Sequence, residues 1–123
     1  MAVQLALVHR ARITFVYVVD TSIVEEMASA SGHPAQQVQR QLELTGQRYL
    51  DYLSRMATSA GLVADQVVRH GTPYSEIERL AREQGVDLIV IGEVGRRGPR
   101  RILIGSVTER VIEYAPCPVL VVK

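Results

Sequence analysis

The sequence predicts an α/β domain built on an open parallel sheet, and three observations carry that prediction. Short runs of apolar and β-branched residues, Ile13 to Val19 and Asp87 to Gly92, read as strands buried on both faces, as parallel strands are. Between them lie stretches in which apolar residues recur at helical spacing. Strands and helices alternate along the chain, and that order argues for parallel pairing. The length agrees, since 123 residues suffice for one domain with one core.

Taken in order, Ile13 to Val19 is the first clear strand, ended by the turn formers Asp20, Thr21 and Ser22. The stretch to Pro34 reads as irregular, with Ile23, Val24 and Met27 making at most a short helical turn. From Gln36 to Ala60, the residues Leu42, Gly46, Tyr49, Leu53, Met56 and Ala60 fall on one stripe of a helix, and Gly61 stops it. Gln66 to Arg69 is a short strand. Thr72-Pro73 then supplies a cap and a first-turn proline, with Ile77, Leu80 and Ala81 as the buried stripe of a helix reaching Gln84. The strand Leu88 to Ile91 follows. A helix from Ser106 to Ala115 comes next, with Val107, Val111, Tyr114 and Ala115 inward, and Pro118 to Val122 closes the chain as a strand.

Composition excludes several classes of function. The apolar fraction of 47% and charged fraction of 22% are those of a soluble globular protein. A net charge of +1 gives no global attraction to nucleic acid or to an anionic membrane. No apolar run approaches the roughly 20 residues that span a bilayer. The apolar opening from Met1 to Val8 has its cations after it, at Arg10 and Arg12, the reverse of a secretory signal. Cys117 is the lone cysteine, so no intrachain disulfide forms, and the expected location is the cytoplasm.

The segment that carries chemistry follows the Leu88 strand. It reads Gly92-Glu93-Val94-Gly95, then nine residues, then Gly105-Ser106 opening a helix. Ligands of open α/β sheets bind at the carboxyl ends of strands. Glycines there let backbone N–H groups approach a phosphate, and the helix start adds unpaired N–H groups and the positive end of its dipole. Taken alone, such glycines are also what turns need. The segment is not a Walker A loop, because no lysine follows the last glycine, and a dinucleotide fingerprint would follow the first strand instead.

Gly92-x2-Gly95-x9-Gly105-Ser106 resembles the nucleotide-binding signature of the universal stress protein family. The flanks extend the likeness: Asp87-Leu-Ile-Val-Ile-Gly92 before it and Gly105-Ser-Val-Thr-Glu-Arg-Val-Ile-Glu-Tyr-Ala-Pro-Cys-Pro-Val-Leu-Val-Val122 after it. Upstream it continues through Gly71-Thr-Pro73 and Ala11 to Asp20, and so covers nearly all of residues 1–123 as one domain. The resemblance implies a Rossmann-like open sheet with helices on both faces and strand order 3-2-1-4-5. It implies ATP, with or without magnesium, as ligand. Gly92 would lie by the ribose, Gly95, Gly105, Ser106 and Val107 would hold the phosphates, and Val18 or Val19 would meet the adenine through backbone groups. It also implies a homodimer through the Pro118 to Val122 edge strand, and either a binder or at most a slow ATPase. A nucleotide-free dimeric scaffold is the alternative function.

One part of the family pattern is absent. Met1 to Arg10 aligns with the tail of the family's first helix, so the first strand and its ribose-binding aspartate have no counterpart here. That strand normally stands between the Ile13 and Leu88 strands, and a gap there would expose unpaired backbone groups costing ~1–3 kcal/mol each when buried. An incomplete chain, a strand formed by Val3 to Val8, or a second copy would each answer the gap. Among the remaining candidates, Arg96, Arg97, Arg100 and Arg101 form a basic cluster whose default reading is a solvated loop, and a position between the phosphate-binding glycines favours charge screening by Arg96 and with it Arg101. Asp20 and Glu93 lack a partner that would make either a catalytic base. His9, His33 and His70 show no metal-ligand spacing.

Overall fold

The computed structural model describes residues 1–92 and 105–122. The chain divides into two compact units, Met1–Thr72 and Pro73–Lys123.

In the first unit, the β-branched run forms strand β1 (Ile13–Asp20), which pairs in parallel with β2 (Ala64–Gly71) from Ile13↔Ala64 to Asp20↔Gly71. Odd-numbered residues of β1 point to one face, as the two-residue period of a strand demands. On that face Phe15 packs with Leu50 and Ala57, while Val19 packs with Val24 and Val38. Thr14, Val16 and Val18, on the opposite face, are half-buried, as are Ile13 and Tyr17, so the expected double-sided burial is reached only at Phe15 and Val19 and on one side.

Helices α2 (Thr21–Ser31) and α3 (Ala35–Ser59) form the cover. The sequence reading left α2 as irregular, and the structure corrects it. Asp20 caps that helix, accepting from the Ser22 N–H at 3.0 Å and from its Oγ at 2.6 Å. The stripe of α3 is also corrected. Its buried residues are Val38, Gly46, Leu50 and Ala57, with Leu42 and Leu53 packed beside them, whereas Tyr49 and Met56 are 51% and 45% exposed. Gly46 lies against the Tyr17 ring, so close that a β-carbon there would overlap Cγ, Cδ1 and Cε1. At the end of α3, Gly61 takes the left-handed conformation (φ 85°). The Gly61 N–H then donates to Thr58 and the Leu62 N–H to Ala57, the paired bonds that close a helix over a glycine.

The opening segment forms helix α1 (Ala2–His9), ended by Arg10 in the left-handed conformation. Val3 packs on the Phe15 cluster. Residues 3–8 are therefore helical, as their alignment with a helix tail predicts, and they do not supply a strand.

In the second unit, α4 (Pro73–Gln84) begins at the expected proline and buries Leu80 and Ala81. Its buried Glu76 carboxylate is paired with Arg79 at 3.3 Å. Strand β3 (Ile89–Gly92) pairs in parallel with β4 (Val119–Val122), from Ile89↔Val119 to Gly92↔Val122, and the Ile89 N–H extends the ladder to the Pro118 carbonyl. Between them α5 (Ser106–Tyr114) buries Thr108 and Val111. Tyr114 is not inward as expected: it is 43% exposed and stacks on Tyr74, with ring centroids 5.7 Å apart. Both outer pairs of the predicted strand order are thus present, each parallel. Among the described residues they remain two separate two-stranded sheets.

Candidate functional site

The carboxyl end of β3 and the first turn of α5 are brought together by chain geometry and one side chain. Gly92 is the last residue of β3 and is exposed. Its carbonyl oxygen accepts a 2.7 Å hydrogen bond from Thr108 Oγ1, and Thr108 is only 2% exposed. Gly105 is the buried N-cap of α5, with extended dihedrals of φ −66° and ψ 155°, and no side chain caps the helix. The first intrahelical bond runs from the Glu109 N–H to the Gly105 carbonyl at 3.0 Å. Helical geometry leaves the earlier N–H groups, those of Ser106, Val107 and Thr108, without an intrahelical acceptor. Those dipoles give this end of the helix a partial positive charge. Ser106 is exposed and Val107 half-buried.

Of the sequence-predicted site residues, Gly92, Gly105, Ser106 and Val107 therefore share one corner of the second unit. Gly95 and Arg96, with Arg97, Arg100 and Arg101, lie outside the described residues. Val18 and Val19 belong to the first unit, near the carboxyl end of β1. Val18 is half-buried, while the Val19 side chain is committed to the core at 1% exposure. Sequence reasoning missed Thr108. The available signal was a threonine in the first turn of a helix that starts where a glycine-ended strand stops.

Other polar groups already have structural work. The Asp20 carboxylate is used by Ser22. His70 and Glu43 pair at 2.8 Å, both 40% exposed. Hydrogen bonds from His70 and then Gln39 hold the Glu43 carboxyl below its ordinary pKa. Burial, then the charge of Asp87, pushes the Cys117 thiol up, which disfavours the reactive thiolate. Among the described residues no three metal-type side chains converge, and no helix is long and apolar enough to cross a membrane. A groove between the end of α2 and the start of α3, lined by Met27, Ala30, His33 and Val38, contains none of the predicted site residues.

Parallel strand pairs interleaved with helices, with a glycine-ended strand leading to an uncapped helix start, define a Rossmann-like α/β protein. The chain belongs to the universal stress protein family, whose family profile matches residues 1–123. Universal stress protein MJ0531 of Methanocaldococcus jannaschii is 37% identical over 122 residues, covering 99% of this chain and 71% of the relative. YxiE of Bacillus subtilis, also a universal stress protein, is 30% identical over 127 residues, covering 99% and 86%. Among solved structures, the universal stress protein UspA from Lactobacillus plantarum superposes with a TM-score of 0.84 at 26% identity, covering 99% of this chain and 84% of that one. The structure of MJ0577 gives a TM-score of 0.78 at 26% identity, with 98% and 86% covered.

Proposed function

We propose that this chain is an ATP-binding stress or signalling module, with the nucleotide held by segment 92–106. The observation that carries the reading is the uncapped first turn of α5, with Gly105 and Ser106, beside Gly92 at the end of β3. Three amides without intrahelical acceptors, at the positive end of a helix dipole, match the demands of a phosphate. Gly92 is exposed and leaves its backbone accessible, and Gly105, although buried, puts no side chain over the first turn. Arg96 then supplies countercharge, and magnesium accompanies the phosphates. The reading stops at binding: phosphoryl transfer to water needs a positioned base, Asp20 caps α2, and Glu93 lies outside the described residues.

The proposal includes a homodimer through the last strand. β4 stands at the end of its two-stranded sheet, and its four residues are all half-buried. Free N–H and C=O groups along such an edge pair readily with a second copy. A cytoplasmic location supplies both ATP and the reducing conditions that suit a lone thiol.

The test is to purify the protein, denature it and analyse the supernatant for adenine nucleotide by mass spectrometry, alongside calorimetric titration with ATP and magnesium. Co-purified or titratable ATP supports the reading. A protein that binds none and still dimerises is the nucleotide-free scaffold instead.

A further inference from the structure

Thr108 is a strange residue to find where it is. It occupies the third position of α5, on the same buried face as Val111, and is 2% exposed. Its β-branch makes it a poorer helix former than alanine. A valine would fill the same volume without bringing a hydroxyl that costs free energy when buried unpaired. The hydroxyl does have a partner, the Gly92 carbonyl oxygen at 2.7 Å, sixteen positions back in the chain. That bond joins the last residue of β3 to the helix whose leading amides are the candidate phosphate donors.

We propose that Thr108 is a positioning residue for phosphate binding: by tying α5 to the end of β3, it fixes where the Ser106 and Val107 amides stand relative to Gly92. The inference rests on the nucleotide-binding reading above. The bond to the Gly92 carbonyl selects one of the two χ1 rotamers open to a helical threonine and so holds the helix start against the strand end. Gly105, which has no side chain to anchor it, cannot do this. The acceptor is a main-chain carbonyl, so the restraint acts on the backbone and survives any change of neighbouring side chains. Preorganised donors bind an anion without first being ordered, and that advantage is lost when the tie is removed. The adenine end of the ligand is not restrained by this bond.

The experiment compares wild type with Thr108→Val, which keeps the shape and removes the hydroxyl, and Thr108→Ser, which keeps the hydroxyl. Val111→Ala serves as a control for lost packing in the same helix. Each is titrated calorimetrically with ATP and magnesium, and separately with adenosine, at a temperature where circular dichroism shows it folded. Thr108→Val should lose about tenfold in ATP affinity, the scale set by one hydrogen bond, while adenosine affinity changes by less than about twofold. Thr108→Ser should recover most of the ATP affinity, and Val111→Ala should melt earlier yet bind both ligands as wild type does. If wild type binds ATP and Thr108→Val binds it equally well, the positioning role is overturned and the nucleotide reading stands. Equal losses for ATP and adenosine, matched by Val111→Ala, also overturn it, since the effect is then general loosening. A wild type that binds no ATP overturns both.

Discussion

Replacing Gly46 with alanine sets helix propensity against packing, and the structure decides the sign. Gly46 lies inside the 25-residue α3, where alanine in place of glycine is worth about 0.8–1 kcal/mol. The added β-carbon would overlap Tyr17 at Cγ, Cδ1 and Cε1. Overlap with Cγ, the root of the ring, cannot be relieved by moving the ring tip, so Tyr17 must leave its rotamer or α3 must back away from β1. Tyr17 packs against both buried clusters of its unit, which makes either escape costly. Overpacking of this kind costs about 1–3 kcal/mol. The net expectation is destabilisation by about 1 kcal/mol, read from urea unfolding followed by circular dichroism. In a Tyr17→Ala background the ring is gone, and the same substitution should stabilise by up to about 1 kcal/mol. The coupling between the two sites is then about 2 kcal/mol, well beyond the scatter of independent sites. Stabilisation by Gly46→Ala in the wild-type background, or equal effects in both backgrounds, would refute the reasoning.

The other predictions concern pH, ligand and assembly. Because Glu43 has a lowered pKa in the fold, its contribution to stability is present above the unfolded carboxylate pKa and fades as pH falls through the folded one. The urea-midpoint difference between wild type and Glu43→Gln should therefore shrink on acidification, and should shrink in high salt because the pair is 40% exposed on both sides; a difference that grows in acid contradicts this. ATP with magnesium at 100 times its dissociation constant should stabilise wild type by about 2.7 kcal/mol. Gly105→Val should abolish that gain: valine tolerates the extended N-cap conformation, so a full response by the variant would place the phosphates elsewhere. Val121→Lys should shift the sedimenting species from dimer to monomer, and a wild type already monomeric at micromolar concentration rules the β4 interface out.

Strands β1 and β3 were legible because burial demands continuous apolar runs, and Ile13 to Val19 and Leu88 to Ile91 are such runs. β2 was seen only at its centre. Asp65 and His70 are exposed there, so polar residues hide its ends. α2 was missed because its serines, glutamates and alanines carry little apolar period, and its cap looks like a plain turn at Asp20-Thr21-Ser22. The stripe of α3 was partly misplaced, for an instructive reason. Leu42, Gly46 and Leu53 were placed correctly, but sequence patterns assume that large apolar residues such as Tyr49 and Met56 face inward, whereas Leu50 and Ala57 fill those places. In the site, a helix opening at Gly105-Ser106 was legible from the glycine spacing, while the structure gives the cap position to Gly105. The bond from Thr108 to Gly92 was not legible, because a contact between distant positions leaves no period to read.

The parallel ladder of the first unit also dictates an order of events. Ile13 pairs with Ala64 and Asp20 with Gly71, with α2 and α3 both spooled out between them. No rung can form until that excursion has closed, and closure costs entropy before any ladder bond repays it. Helices, by contrast, assemble from neighbours in the chain on a sub-microsecond scale of ~0.1–1 μs. The long α3 is thus the spindle on which the search ends: once wound, it carries β2 back beside β1 and shortens the span left to chance. Weakening α3 therefore slows folding, whereas weakening rungs formed after the transition state chiefly hastens unfolding.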